Sequence, residues 1–510
     1  MTEDTTMAKP KDFNTSHDNA LDMEPGVEGS GTMEEICRDM KSRHINMIAI
    51  AGMIGTGLFL SSGSVIATAG PAGAFIAYII MGIVTVGVSY TTGEITSFVP
   101  STGGFVRHAT KFVEPALGAA TGWNFWYTMA ISVPAEISAA ATVIQFWNTS
   151  INSAIWISVL LVLIILLNLC GVRLYGESEV VFASLKIMLI IDLIIGGLVI
   201  DLGGAPNHDR IGFRYWNDPG AFNTTIETGS TGRFLAIWSV LVSAGFSYGN
   251  IQVVAISGSE TQNSRQIIPA ATKKTFFRTA QQSPFVIAFQ RSGVSVIPSI
   301  INAVVCTSAF SSGSACIFIA SRTLYGLSQD GHAPKIFQRC NRFGVPHYAV
   351  GLTCVLVPLV YLNVGSNTCV VFGWFVNITT VAGLIGWIVI EGISQNELPY
   401  RGPLQPYAAW ATLLIVFLIV FFFGFSVFVK GHFTASGFLT CYLNVFIFIA
   451  LYACFKLFMK SKVIPLSALD FQAELQSIRE EEQYRSQTAK IEDDKSSTLL
   501  GKISRVLHSI

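Results

Sequence analysis

The chain has 510 residues, 51% of them hydrophobic and 13% charged, with a formal net charge of zero and a mean hydropathy of +0.53. That balance excludes a string of soluble domains and leaves no basic footprint for nucleic acid; it describes a polytopic membrane protein. The cysteines are scattered without CxxC or Cys/His spacing, so neither a metal, a cofactor nor a disulfide framework is expected.

Residues 1–40 read as a disordered tail, too rich in Asp, Glu and Lys for a cleaved signal peptide. Lys41, Arg43 and His44 then place the N-terminus in the cytoplasm by the positive-inside rule. The first span, Asn46 to Val65, has about 20 uncharged residues, long enough to cross a bilayer. Its middle, Gly52-Met53-Ile54-Gly55-Thr56-Gly57, is a poor helix. One reading is a break that lines a cavity, where free N–H and C=O groups suit the carboxylate and ammonium of a zwitterion. The other is a small-residue packing face between helices.

Further spans are expected at about Gly73–Gly93, Ala119–Phe146, Ala154–Gly171 and Val180–Ile200. Arg107, His108, Lys111 and Arg173 mark cytoplasmic turns, and the polar loop 201–232 falls outside. Sequons begin at Asn148 and Asn223, both on the expected outer side. Span six, Phe234–Gly258, is interrupted by Ser247-Tyr248-Gly249-Asn250 and so pairs with the broken first span. It leads into Arg265, Lys273, Lys274 and Arg278; Val294–Ile319 follows, then Arg322, Lys335, Arg339 and Arg342. Both basic clusters ask to be cytoplasmic, yet only one span separates them, and one helix cannot begin and end on the same side. Spans at about Ala349–Val364, Val370–Ile393, Ala408–Val429 and Phe438–Phe458 complete a count of about eleven. The charged tail 461–510 holds a short amphipathic pattern, Phe471 to Tyr484.

Several stretches resemble the fungal amino-acid permeases of the amino acid–polyamine–organocation superfamily. They are Ser42 to Ile50 with Gly55-Thr56-Gly57, Ala69-Gly70-Pro71 through Gly93-Glu94 to Pro100, and Val133-Pro134-Ala135-Glu136. Phe182 to Lys186, Ser259-Glu260 with Asn263, Ser321 to Gly326 and Leu398 to Tyr407 complete the likeness over residues 41–460. The resemblance implies an all-α, LeuT-like fold of two inverted five-helix repeats with two extra C-terminal helices, and proton-coupled amino-acid uptake at the plasma membrane with both tails cytoplasmic. It implies that Gly55, Thr56 and Gly57 present N–H groups to the substrate carboxylate. The carbonyl of Met53, beside Ile54, and those from Ser243 to Phe246 would take the amine, with Phe246 as an aromatic gate near Tyr248. Lys186 matches a fifth-span lysine that stands in for a sodium ion in proton-coupled relatives. Two departures stand out. Gln252 replaces an acidic residue, and the family's seventh span is missing between Arg278 and Ser283, where the parity also fails; a shorter gap lies near Ser394–Asn396.

Ionisable groups inside a membrane are functional candidates by default. Lys186 is weighed against a snorkelling interfacial lysine, and Glu136 is divided between a structural contact and the substrate pathway. Glu94 reads as a structural or gating partner of loop bases, Asp192 has no assignment, and Phe246 and Tyr248 are weighed against plain packing aromatics. The expected function is proton symport of an amino acid, with Lys186 as the coupling group and the tails offered to trafficking or ubiquitin machinery. An enzyme is not expected, because no Ser/His, His/Asp or metal-ligand constellation falls within the spans. A transport-dead isoform or an amino-acid sensor is the alternative. The loop Gly212 to Trp216 and the run Ser247–Val254 hint at the acidic-amino-acid branch.

Overall fold

The computed structural model describes residues 55–98, 105–147, 150–204, 206–249, 297–365, 368–391 and 406–465, together with Gln476 and Glu480. Expectations for the tail 1–40, Met53, Ile54, Asn148, Gln252, the missing span between Arg278 and Ser283 and the gap near Ser394 fall outside those residues. Seven of the described helices are long and apolar enough to cross a bilayer, and two shorter apolar ones accompany them. The protein is a multi-pass, all-α membrane protein.

A π-helical turn, Gly57–Ser61, runs straight into α1, Ser62–Phe98. This helix joins the second half of span one to span two through a corner at Gly70, whose φ of +77° lies in the glycine region. Pro71 restarts the helix where its missing N–H does no harm. The loop 221–223 closes the corner: Ala72 N donates to Ala221 O (2.9 Å) and Asn223 N to Ala69 O (3.1 Å). A Cβ on Gly70 would stand 2.8 Å from Ala221 O, so the Ala-Gly-Pro sequence is a steric requirement. Asn223 Nδ2, the atom a glycan would use, donates to Ala67 O at 2.9 Å and is committed to the same corner.

Next come α2 (Phe105–Phe112), α3 (Pro115–Ile144), α4 (Ser153–Leu169), α5 (Val172–Asp201) and α6 (Gly229–Phe246). After residue 296 follow α7 (Ile297–Gln329) and α8 (His347–Leu356), which is extended by turns to Gly365. The last three are α9 (Thr368–Glu391), α10 (Tyr407–Phe422) and α11 (Ala435–Met459). Two helices outrun their apolar windows. α5 starts at Val172 rather than near Val180, and α7 continues to Gln329, beyond Ile319. The extra turns are polar but packed against protein, where hydropathy is no guide. Arg322, expected in a cytoplasmic loop, is therefore buried in α7 with its guanidinium 3.7 Å from the Phe318 ring centre.

α3 is the central post: 83% of its apolar window is buried, against 28% in α5 and 17% in α11, which face outward. Small residues let α7 approach it closely, since a Cβ on Gly122 would lie 2.4 Å from Leu327 Cδ2. Asp192 is exposed on the outward side of α5 and has no structural explanation. Gln476 and Glu480 hydrogen-bond at i, i+4 (3.2 Å), as the amphipathic pattern expects.

α6 and α7 run in the same direction. α6 starts beside the 221–228 loop, where Thr225 N donates to Gly232 O (3.3 Å). The start of α7, Ile297 to Val305, packs with Ile200 and Ile211 at that same face. Its far end lies at the opposite face, where Asp330 pairs with Arg107 at 2.7 Å.

Candidate substrate and coupling site

The helix that begins at Thr56 and the C-terminal end of α6 meet inside the bundle. Helical geometry begins at Thr56, so the N–H groups around Gly55 to Gly57 form a helix N-terminus that carries partial positive charge. Opposite it, α6 ends in tightened turns: Ser247 N donates to Ala244 O (3.1 Å), Tyr248 N to Gly245 O (2.9 Å) and Gly249 N to Phe246 O (3.2 Å). The tightening takes Ser243's carbonyl away from its ordinary donor, the N–H of Ser247. Only glycine allows the approach, because a Cβ on Gly57 would lie 2.7 Å from Phe246 Cδ1 and 3.0 Å from the Ser247 backbone.

A cavity opens at this junction. Its wall includes Gly55, Gly57, Gly245, Phe246 and Gly249 from the broken helices, Thr128, Ser132 and Glu136 from α3, and Thr379, Thr380 and Trp387 from α9. The α3 residues follow i, i+4, i+8, one polar stripe on an otherwise apolar helix. Phe246 also meets Phe372 edge-on at 6.4 Å, so it is both wall and packing aromatic. Glu136 is 3% exposed and faces the break: a Cβ on Gly55 would stand 3.0 Å from its Oε1. Thr56 lies near enough to interact with that carboxylate. Its hydroxyl forms no well-aligned hydrogen bond, and neither does Glu136 Oε2, although both atoms are buried.

Behind Glu136 lies Lys186, 0% exposed, which rules out snorkelling. Its Nζ donates to Ser311 Oγ of α7 at 3.1 Å, and Ser311 Oγ lies 2.8 and 2.9 Å from the two carboxylate oxygens of Glu179. Lys186 is in electrostatic contact with Glu179, Glu136 and Cys316. The cluster around Lys186 thus contains Glu179 and Ser311, which sequence reading missed. Glu179 precedes Lys186 by seven residues, two turns along the same helix face, and that spacing was the available signal.

Not every expected residue reaches the cavity wall. Tyr248 is a strut, its hydroxyl donating to Tyr78 O at 3.2 Å, with Tyr78 Oη 3.4 Å from Ser247 Oγ. Ser243 lies one turn above the lining residues of α6. Glu94 is fully buried on α1, away from the cavity. Among the described residues no group of His, Cys, Asp and Glu is placed to hold a metal.

The family profile described as "Amino acid permease" matches residues 44–281 and 279–465. The chain belongs to the amino acid permease family. It is 39% identical over 471 residues to a "Proline-specific permease" of Emericella nidulans, covering 83% of this chain and 86% of that one. It is 36% identical over 491 residues to a "Dicarboxylic amino acid permease" of Saccharomyces cerevisiae, covering 87% and 81%. The "Lysine/arginine permease CAN1" of Candida albicans is 33% identical over 500 residues, covering 88% and 87%. The crystal structure of the Eremococcus coleocola manganese transporter superposes with a TM-score of 0.50 at 12% identity, covering 81% of this permease and 93% of that chain. That likeness shows the fold alone, a transporter architecture in keeping with the LeuT-like repeat. The two profile matches break at 279–281, where the sequence reading places the missing seventh span.

Proposed function

We propose that this permease carries a small uncharged amino acid inward across the plasma membrane together with a proton. The observation that carries the reading is the cavity between the helix N-terminus at Gly55–Gly57 and the C-terminal turns of α6. The first end binds a carboxylate, and carbonyls at the second, with Glu136, bind a primary or secondary ammonium group. No basic side chain lies in the cavity wall among the described residues, so a second substrate carboxylate would be buried without a counter-charge. The hint of an acidic substrate is set aside for that reason. Hydroxyls of Thr128, Ser132, Thr379 and Thr380 beside Phe246 and Trp387 suit a small apolar side chain, as the proline-specific relatives suggest. Lys186 is the group whose proton would couple substrate to the gradient.

Uptake of labelled proline in cells lacking endogenous permeases tests this. Competition by alanine and other small neutral amino acids, but not by glutamate or arginine, is the expected result; competition by glutamate alone would overturn it.

A second reading, a binding-competent but transport-impaired form, rests on the split profile match and on the parallel run of α6 and α7. Two parallel helices need a return crossing between them. Between Glu260 and Arg291 the longest uncharged run is Thr279–Gln290, shorter than the about 20 residues a crossing helix uses. Insertion of a family-like span after Arg278 raises uptake at equal surface expression on this reading; equal uptake with and without it would discard it.

A further inference from the structure

Among the described residues, the cluster behind the cavity holds more negative than positive charge. Glu136, Glu179 and Lys186 are 3%, 1% and 0% exposed, so two carboxylates share one ammonium away from water. A protein interior does not hold an uncompensated charge cheaply, so protonation within such a cluster is coupled. The hydrogen-bond geometry shows the path a proton can take. Ser311 Oγ accepts from Lys186 Nζ and is within hydrogen-bond distance of both oxygens of Glu179. A serine hydroxyl carries one proton, so it fully serves only one of those two contacts. The other oxygen of the ionised Glu179 therefore stays open to a proton, and ammonium, hydroxyl and carboxylate stand in line.

We propose that Glu179 is the proton-exit residue of the coupling site, receiving through the Ser311 hydroxyl the proton that leaves Lys186. An N–H bond of Lys186 breaks as its proton joins Ser311 Oγ. Ser311's own O–H bond breaks as its proton joins Glu179. The ammonium becomes an amine, the carboxylate becomes a carboxylic acid, and the hydroxyl is restored. The direction follows from the fold. The Val172 end of α5 lies with the inner loops, where Asn341 Nδ2 donates to Leu169 O (3.3 Å) and Gly171 sits against Phe343. Glu179 is therefore about 10 Å nearer that face than Lys186, at 1.5 Å per residue. Below it, Tyr175 stacks on Phe318 (4.3 Å, 11°) and Arg322 caps the ring, closing the route in this state. The titratable groups facing Lys186 are Glu179 on its own helix, Glu136 on α3 and Cys316 on α7. Among the described residues, Glu179 is the one of these that lies on the inner side and shares a hydrogen-bonded relay with it.

This inference rests on the proton-coupled reading above, so its test has one arm that needs no transport. In the purified full-length protein, infrared spectra should show a protonated-carboxyl carbonyl band that titrates with pH. It should vanish in Glu179→Gln, shift in frequency in Glu179→Asp, persist in Glu136→Gln, and lose its pH dependence in Lys186→Met. In reconstituted vesicles, Glu179→Gln should lower proton-driven accumulation on the order of 10²-fold. Exchange of labelled for unlabelled substrate should continue, and Glu179→Asp should restore part of the pH dependence. If wild-type protein carries no amino acid, the transport reading falls while the infrared arm still judges Glu179. A band unchanged in Glu179→Gln, or lost in Glu136→Gln instead, overturns the proposal.

Discussion

Two buried carboxylate–lysine clusters sit at different depths of this permease, and their contrast is instructive. At the N-terminal end of α3, Glu114 is 1% exposed; Lys456 and Tyr452 of α11 donate to it, and Ser461 Oγ does so at 3.2 Å. The lysine is 35% exposed, charges balance one to one, and Ile464 N donates to Val113 O (2.9 Å) beside it. Burial raises the Glu114 pKa, but the three donors outweigh it and hold the carboxyl below the usual range. That cluster is a latch tying the segment after α11 to the start of α3. Among the described residues the central cluster has two buried carboxylates for one buried ammonium, and a carboxylate oxygen, Glu136 Oε2, without an aligned donor. A satisfied pair at a rim stabilises; an unbalanced set at mid-depth is poised to change its protonation.

The contrast can be broken most sharply at Lys186. Lys186→Met leaves Glu136 and Glu179 without their counter-charge, a change that costs about 3–5 kcal/mol when a buried pair loses one partner. Thermal unfolding in detergent should show that loss, with Lys186→Met/Glu179→Gln more stable than Lys186→Met alone. Accumulation against a gradient should disappear in both while exchange survives; normal accumulation in Lys186→Met would refute the coupling role.

Gly55→Val comes next. Its Cβ would stand 3.0 Å from Glu136 Oε1 and 3.5 Å from Ser312 Oγ, and a β-branched residue disfavours the irregular backbone there. Substrate binding should weaken tenfold or more, about 1.4 kcal/mol, with surface expression retained. Equilibrium binding to purified protein checks it, and unchanged affinity would remove Gly55 from the site.

The smallest effect is expected at the latch. Because the folded-state pKa of Glu114 is depressed, its contribution is present at neutral pH and lost as pH falls through that lowered value. Glu114→Gln should lower the unfolding temperature slightly at pH 7, and the difference from wild type should vanish in acid. Substrate affinity should not change at all.

Much of this was legible in the chain. Uncharged windows located the spans, and the glycines at 55 and 57 with Ser247–Gly249 located the two breaks, because glycine where two backbones touch leaves few alternatives. The polar starts and ends of α5 and α7 were hidden, since hydropathy recognises helix that faces lipid and not helix whose polar side is buried in protein. Glu179 was lost with those first two turns of α5. The stripe Thr128, Ser132, Glu136 was readable by its spacing. Thr379, Thr380 and Trp387 were not, because α9 is apolar around most of its circumference and only packing decides which side meets the cavity. Tyr248 illustrates the reverse: an aromatic beside a break reads as a substrate contact or as packing, and its hydroxyl donates to the Tyr78 carbonyl.

The most direct test of the central cluster is proton release or uptake when purified protein binds proline, followed in a weakly buffered solution with a pH indicator. Wild type and Glu114→Gln should exchange protons on saturation to the same extent, and Lys186→Met should exchange none. Binding without proton exchange in the wild type, or exchange undiminished in Lys186→Met, would contradict the assignment of coupling to this cluster.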